Sequence, residues 1–164
     1  MTQDDVKQIF FYKDGFLYWK KPLKNANVKV GDLAGTIHKI SKRVKIQYNK
    51  KVYFASRLIF LMFHGYLPKC VDHIDRDQTN DRIENLRAAT AAENQRNVAL
   101  RKDNSSGVKN VCWNKRSKKW GVQLSFNGKI RHFGHYDNLE LAELVALEAR
   151  AKFHGKFAYL GSPQ

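Results

Sequence analysis

The sequence predicts an α+β protein: an N-terminal β-rich lead-in, a central strand, loop and helix unit, and a C-terminal three-stranded antiparallel sheet packed on one helix. Three observations predict it. Short aromatic and β-branched runs bounded by turn residues fill residues 10–54 and recur over 107–136. Apolar side chains repeat at three- and four-residue spacing over Ala55–His64 and Leu139–His154. A 164-residue chain that is 43% hydrophobic and 12% aromatic has the length for one or two small domains and the apolar content for a core.

Each element has its own signal. In FFYKDGFLYW (residues 10–19) a Lys-Asp-Gly turn separates two aromatic runs, as in a hairpin. GDLAGTI, RVKIQYN and KKVYFA read as further strands, with alternation at Val44, Ile46 and Tyr48 and a turn at Asn49-Lys50. Leu58, Ile59, Met62 and Phe63 mark a helix over Ala55–His64, which Gly65 and Pro68 end. KCVDHID is a short strand and DQTNDRIENLR a polar loop. Ala88–Leu100 reads as a helix, with Thr90 as N-cap and Glu93 closing a capping box. LRKDNSSG reads as a linker. The expected division is therefore a first domain over 1–100 (lead-in 1–68, central unit 69–100), a linker at 101–106 and a second domain over 107–164. In the second domain VKNVCW, KWGVQLSF and KIRHFGHY are three strands. Asn114–Lys118 joins the first pair, and Asn127-Gly128 makes a two-residue turn between the second pair. Leu139–His154 reads as an amphipathic helix carrying Leu141, Leu144, Val145, Leu147 and Ala151, capped by Gly155, with FAYLG packing back as a tail.

Charge narrows the function. Lys and Arg number 30 against 15 acids, a net charge of +15, which points to a polyanionic partner. Residues 1–69 carry 14 basic and 4 acidic side chains and residues 105–164 carry 10 and 4, whereas residues 70–104 carry 6 and 7. Basic flanks suit phosphates. A carboxylate-rich centre in such a chain needs a reason of its own, either a bound cation or a loop where acids collect. Cys70 and Cys112 are the two cysteines, with no CxxC, which rules out a disulfide framework and a four-cysteine zinc site. The longest apolar stretch, Leu58–Phe63, is too short to span a bilayer, and the polar, acidic start MTQDD does not read as a secretory signal. The expectation is a cytosolic protein with reduced thiols and no membrane partner.

VDHIDRDQTNDRIENLRAATAAENQRN carries the chemistry. Asp72 and His73 adjoin at the end of a strand, Asn85 follows His73 by 12 residues and Asn94 by 21. Cutting a phosphodiester needs a base to activate water, a cation to stabilise charge on phosphate and leaving oxygen, and a scaffold for both. An unperturbed imidazole changes charge near neutrality, so a histidine such as His73 is the residue type suited to be the base. Asp72 points away from it in a regular strand, yet it can ligate a metal if the strand ends in a bend, with Asn94 opposite.

These residues resemble the ββα-metal motif of the HNH endonucleases, in their phage-type branch. The likeness lies in D-H-I-D at Asp72–Asp75, N-D-R-I-E-N-L-R at Asn80–Arg87 and E-N-Q-R-N at Glu93–Asn97. It implies that His73 is the general base, that Asp72 is the metal-binding acid and that Asn85 braces the loop and the base. Asn94 then ligates metal through its amide oxygen, which favours one Mg²⁺ or Mn²⁺ per site over zinc, with no structural zinc and no small-molecule cofactor. Asn80 and Asn97 read as turn caps. Asp14–Trp19, Gly31–Gly35, Tyr53–Leu58 and His64-Gly65 before Pro68 resemble the lead-in of the same branch, where Ser56 stands in place of a frequent His. Arg57 either contacts the scissile phosphate or makes a surface salt bridge.

The stretch from Gly107 to Gly155 resembles the plant ethylene-response-factor (APETALA-type) DNA-binding domain, through Gly107-Val108, Trp113, Lys119-Trp120, Phe133-Gly134 and the Ala142–Ala151 helix. That resemblance implies a DNA face lined by Trp113, Lys115, Arg116, Lys118, Lys119, Gln123, Lys129 and Arg131. Arg131 would read guanine, and the lysines would hold phosphates. Strand alternation separates Trp120, Val122 and Leu124 from Gln123, so Trp120 is either on that face or in the core. His132, His135 and His154 read as packing or hydrogen-bonding residues. Together the resemblances imply a monomeric, site-specific homing endonuclease acting on double-stranded DNA in a host cytoplasm. It would nick one strand to leave 5′-phosphate and 3′-hydroxyl ends. The rival is an inactive scaffold that binds DNA as a regulator.

Overall fold

Thr2 opens the chain with a reciprocal cap. Its hydroxyl accepts from the Asp5 N–H at 3.2 Å while the Asp5 carboxylate accepts from the Thr2 N–H at 2.7 Å, which starts a helix, α1 (Gln3–Ile9), that the strand-biased sequence reading did not anticipate. The computed structural model describes residues 1–22, 27–98, 100 and 103–159. The chain divides into two compact units, residues 1–94 and 95–164. Of the expected linker, Arg101 and Lys102 lie outside the described residues, as do Ala99 and the Leu160-Gly161 end of the tail.

In the first unit β1 (Phe10–Lys13) and β2 (Phe16–Trp19) pair as the expected hairpin. β3 (Thr36–Ile37), β4 (Val44–Tyr48) and β5 (Lys51–Phe54) form an antiparallel sheet in that order. The Asn49-Lys50 turn has both residues at positive φ, the geometry that follows strand twist in a tight hairpin. GDLAGTI gives only the two-residue β3 and a single bridge from Leu33 to Tyr18. Gly35 explains why the chain bends there. It sits at φ +96°, and a Cβ on it would lie 2.6 Å from the Lys45 carbonyl oxygen and 2.7 Å from Ile46 Cγ1. α2 (Ala55–His64) has its expected bounds and a left-handed cap at Gly65. Its Leu58 and Ile59 bury against Val6, Phe10, Leu17 and Ile46 in one core, which Leu86 also joins.

β6 (Cys70–His73) pairs antiparallel with β7 (Leu86–Ala89), and α3 (Ala91–Asn97) follows. The sequence reading placed residues 77–87 in a loop and began the helix at Ala88. Instead Leu86–Ala89 form a second strand, because β6 needs a backbone partner and Leu86 and Ala89 are the apolar residues available to bury. The helix waits for Thr90, whose hydroxyl caps Glu93 N–H while the Glu93 carboxylate accepts from Thr90 N–H at 2.8 Å.

In the second unit β8 (Val111–Asn114), β9 (Lys119–Phe126) and β10 (Lys129–Tyr136) run in the order β10-β9-β8, all antiparallel. Asn127 (φ 52°) and Gly128 (φ 73°) form the expected turn. α4 (Leu139–His154) covers one face, started by Asn138 Oδ1 on the Glu140 and Leu141 N–H groups. Its buried stripe differs from the expected one. Ala142, Ala146 and Ala149 face the core with Arg150, while Leu141 and Leu144 are about half exposed. Small side chains let the helix approach Val111 and Val122 closely. No helix among the described residues is long and apolar enough to cross a membrane.

Gly35→Ala should destabilise the first unit by about 1–3 kcal/mol, since it adds backbone strain to a steric clash. Urea unfolding should show a lower midpoint with an unchanged m value.

Candidate active site

β6 delivers two buried titratable residues side by side. Asp72 and His73 are each 5% exposed. Asp72 lies opposite Arg87 and His73 opposite Leu86, so adjacent residues face opposite sides, as strand geometry requires. Each is held by its own partner. Asp72 Oδ2 accepts from Arg87 Nε at 2.8 Å and from Nη2 at 2.7 Å, a two-pronged ion pair. His73 Nε2 meets Asp81 Oδ1 at 2.7 Å. Asp81 is only 2% exposed, and burial pushes its carboxyl upward, against the pull of the His73 hydrogen bond.

The segment between β6 and β7 is closed by an interlocked set of side chains. Asn85 Oδ1 accepts from the Asp75 N–H at 3.0 Å, while its Nδ2 donates to Asp75 Oδ1 and to the Asn80 carbonyl, each at 2.8 Å. Asn85 O accepts from the Ile74 N–H at 2.9 Å. Asn80 Nδ2 donates to Asp75 Oδ2 at 2.6 Å, so Asn80 ties the loop to Asp75 as well as turning it. Asp77 takes the Thr79 N–H and hydroxyl, and these hold its carboxyl below the usual range. Outside the loop, Arg43 Nε donates to Gln78 Oε1 at 3.2 Å and the Ile83 N–H donates to Tyr12 Oη at 3.2 Å. Asn85 therefore clamps both ends of the loop.

The other expected residues sit as follows. Asn94 is half-buried on α3, its N–H bonded to Thr90 O at 3.0 Å. Arg57, half-buried in the first turn of α2, points Nη1 at the Lys69 carbonyl at 3.4 Å, and no acidic side chain pairs with it among the described residues. No group of three or more His, Cys, Asp or Glu side chains converges among the described residues. Asp72 and Asn94, the residues expected to hold a cation, both offer hard oxygens, the kind that Mg²⁺ or Mn²⁺ takes together with water and substrate oxygens.

The eight residues expected to share a DNA face do not share one. Gln123 is exposed on the face that α4 leaves open, with Cys112 and Ser125. Lys129 pairs with Phe126 and Arg131 with Leu124, which puts both on the helix-covered side. There the Arg131 guanidinium lies over the Phe153 ring at 5.1 Å. Trp113 packs edge-on against Trp120, ring centroids 4.8 Å apart, and Trp120 packs on the core, which settles its alternative. Lys115, Arg116 and Lys118 occupy the exposed β8–β9 turn, and Lys119 pairs with Asp137 at 3.1 Å. His154 Nε2 donates to the Ser125 carbonyl at 3.2 Å and His135 Nε2 meets Asn114 Nδ2 at 3.2 Å. Sequence reasoning missed Asp81, Arg87 and Asp75. Register alone reveals Arg87, because it lies opposite Asp72 only once β7 is recognised. Nothing in the sequence singles out Asp81 among the acids of the loop.

Residues 53–96 match the family model described as HNH endonuclease, a span that contains α2, the β6–β7 pair and most of α3. The chain is also 36% identical over 97 residues to Protein 3.8 of Escherichia phage T7, an alignment that covers 58% of this chain and 79% of that protein. The chain belongs to the HNH endonuclease family, a class of nucleases, and DNA is the partner such a domain implies. No solved structure matches it.

Arg87→Ala should cost about 3–5 kcal/mol, because it removes the two-pronged partner of the buried Asp72 carboxylate. Replacing both partners, Asp72→Asn with Arg87→Met, should cost less. Urea titrations of the two variants check the difference.

Proposed function

We propose that the chain is a metal-dependent, site-specific DNA endonuclease of the homing type that nicks one strand. The observation that carries this reading is the buried His73, oriented through Nε2 by Asp81 and adjoining Asp72 inside the stretch that matches the nuclease family. With Nε2 facing Asp81, the proton-accepting nitrogen is Nδ1. His73 takes a proton from water there. The water oxygen then bonds to phosphorus while the bond from phosphorus to the 3′ oxygen breaks, and the electron pair leaves with that oxygen. A proton returned to the leaving oxygen gives a 3′-hydroxyl opposite a 5′-phosphate. Asp72 and Asn94 would hold one Mg²⁺ or Mn²⁺, which when bound supplies Lewis-acid stabilisation of charge at the phosphate and leaving oxygen. Asn85 braces the loop behind His73, and the Arg57 guanidinium, which has no acidic partner among the described residues, would meet a phosphate.

The second unit, a three-stranded sheet backed by a helix as in the ethylene-response-factor domains, would locate the target. Its open face carries Gln123, and its β8–β9 turn carries Lys115, Arg116 and Lys118 for phosphates. In this reading residues 1–100 are the nuclease domain and 107–164 the DNA-binding domain. One site per chain accounts for nicking by a monomer in the cytoplasm of a host cell.

One observation favours a second reading, an inactive scaffold that binds DNA. Arg87 already meets the charge of Asp72, the carboxylate a cation would need. A supercoiled plasmid carrying a candidate target separates the two. The nuclease reading expects open circles with Mg²⁺ or Mn²⁺, none with EDTA, and a loss of about 10²–10⁴-fold in His73→Ala, the usual contribution of a general base. Gel-shifted DNA that stays supercoiled with either metal would establish the scaffold.

A further inference from the structure

Asp81 belongs to neither the base nor the expected cation site, yet it is among the most buried polar residues in the first unit. Its side chain is 3% exposed and lies 2.7 Å from His73 Nε2. A carboxylate in so dry a place is costly unless its oxygens are engaged, and the engagement described for it here is the imidazole edge. The neighbouring acids are used differently. Asp75 serves Asn85, Asn80 and the Asp77 N–H, and Asp77 serves Thr79. Asp81 alone among the loop acids turns inward to the base.

The consequence concerns the tautomer of the base. A neutral imidazole carries its proton on one nitrogen, and the hydrogen bond at the other end decides which. A carboxylate only accepts, so its partner Nε2 must carry the proton and Nδ1 must present a lone pair. An amide in the same place accepts through its oxygen and donates through its nitrogen with equal ease, and it leaves the tautomer unfixed.

We propose that Asp81 is a positioning residue that locks His73 in the Nε2–H tautomer, so that Nδ1 is the proton-accepting nitrogen of the nuclease reaction. This rests on the nuclease reading above, with His73 as base, and adds a residue to it. Asp81 touches neither water nor DNA in this role, so it governs turnover and not binding.

The test uses the full chain labelled with ¹⁵N-histidine, with signals assigned by the one that disappears in His73→Gln. Long-range ¹H–¹⁵N spectra near neutral pH report which ring nitrogen carries the proton. Wild type should show His73 protonated on Nε2. Asp81→Asn, which keeps the volume and the loop, should show a shift toward Nδ1–H. In parallel, cleavage of supercoiled plasmid with Mn²⁺ and anisotropy with a fluorescein-labelled duplex of the same sequence separate turnover from binding. Asp81→Asn should lose at least about 10-fold and up to about 10⁴-fold in kcat, the effect of turning the carboxylate that orients a catalytic histidine into an amide, with KM and DNA affinity unchanged. Asp81→Ala should lose at least as much where thermal unfolding shows it folded. Protonation of His73 on Nδ1 in wild type would falsify the proposal, as would a tautomer or a kcat left unchanged by Asp81→Asn. If wild type cuts no DNA while its His73 tautomer still depends on Asp81, the nuclease reading falls and the tautomer lock stands.

Discussion

The first unit's site depends on the reciprocal bond between Asp75 and Asn85. A two-stranded pair is marginal alone, and the segment joining β6 to β7 is long enough to let the strands drift in register. Asn85 prevents this by bonding the Asp75 backbone and side chain together, and by fixing the Ile74 N–H with its own carbonyl. With both ends of the loop pinned, Asp72 falls opposite Arg87 and His73 opposite Leu86. A one-residue slip would put Asp72 on the side of the core and His73 on the side of the guanidinium.

That register explains how the unit tolerates four buried or nearly buried ionisable groups. Each is paired in a direction that strand alternation dictates: Asp72 with Arg87 on one side, His73 with Asp81 on the other. Such pairs add little net stability over apolar side chains of the same size, because desolvation offsets attraction. Leu58, Ile59, Phe10 and Ile46 supply the stability from the core that Leu86 joins. The pairs contribute orientation. The labour is divided between a rigid apolar core and the polar side chains that the register orients.

Much of this was legible in the residues. α2 and α4 were read with their observed ends, because apolar periodicity and flanking glycines mark both. The three strands of the second unit follow from β-branched runs around Asn127-Gly128. The spacing of Asp72, His73, Asn85 and Asn94 lies in the stretch that matches the HNH endonuclease model. What stayed hidden depends on pairing between distant residues. β7 is polar at Arg87 and short, so only its partner strand makes it a strand. α1 is seven residues long and rests on a cap and on packing against α2. Asp81 looks in sequence like any acid in a polar loop. On α4 the leucines outrank the alanines in hydropathy, yet the alanines are buried, because the fit between helix and sheet selects size over hydropathy.

The second unit shows most clearly why residue type does not define an interface. Basic and aromatic side chains are interleaved along β9 and β10, and sequence alone assigns them together. The sheet separates them. Position in the ladder puts Lys129 and Arg131 on the side α4 covers, where Arg131 stacks over Phe126 and Phe153. Gln123 and Ser125 stand on the opposite, uncovered face. A sheet that enters a groove presents the face its helix leaves free. On the proposal that this unit reads DNA, base-edge contacts would come from Gln123 and its neighbours and phosphate contacts from the Lys115–Lys118 turn. Arg131, held by cation–π stacking away from that face, is better suited to steadying the β9–β10 edge against α4 than to reading a guanine.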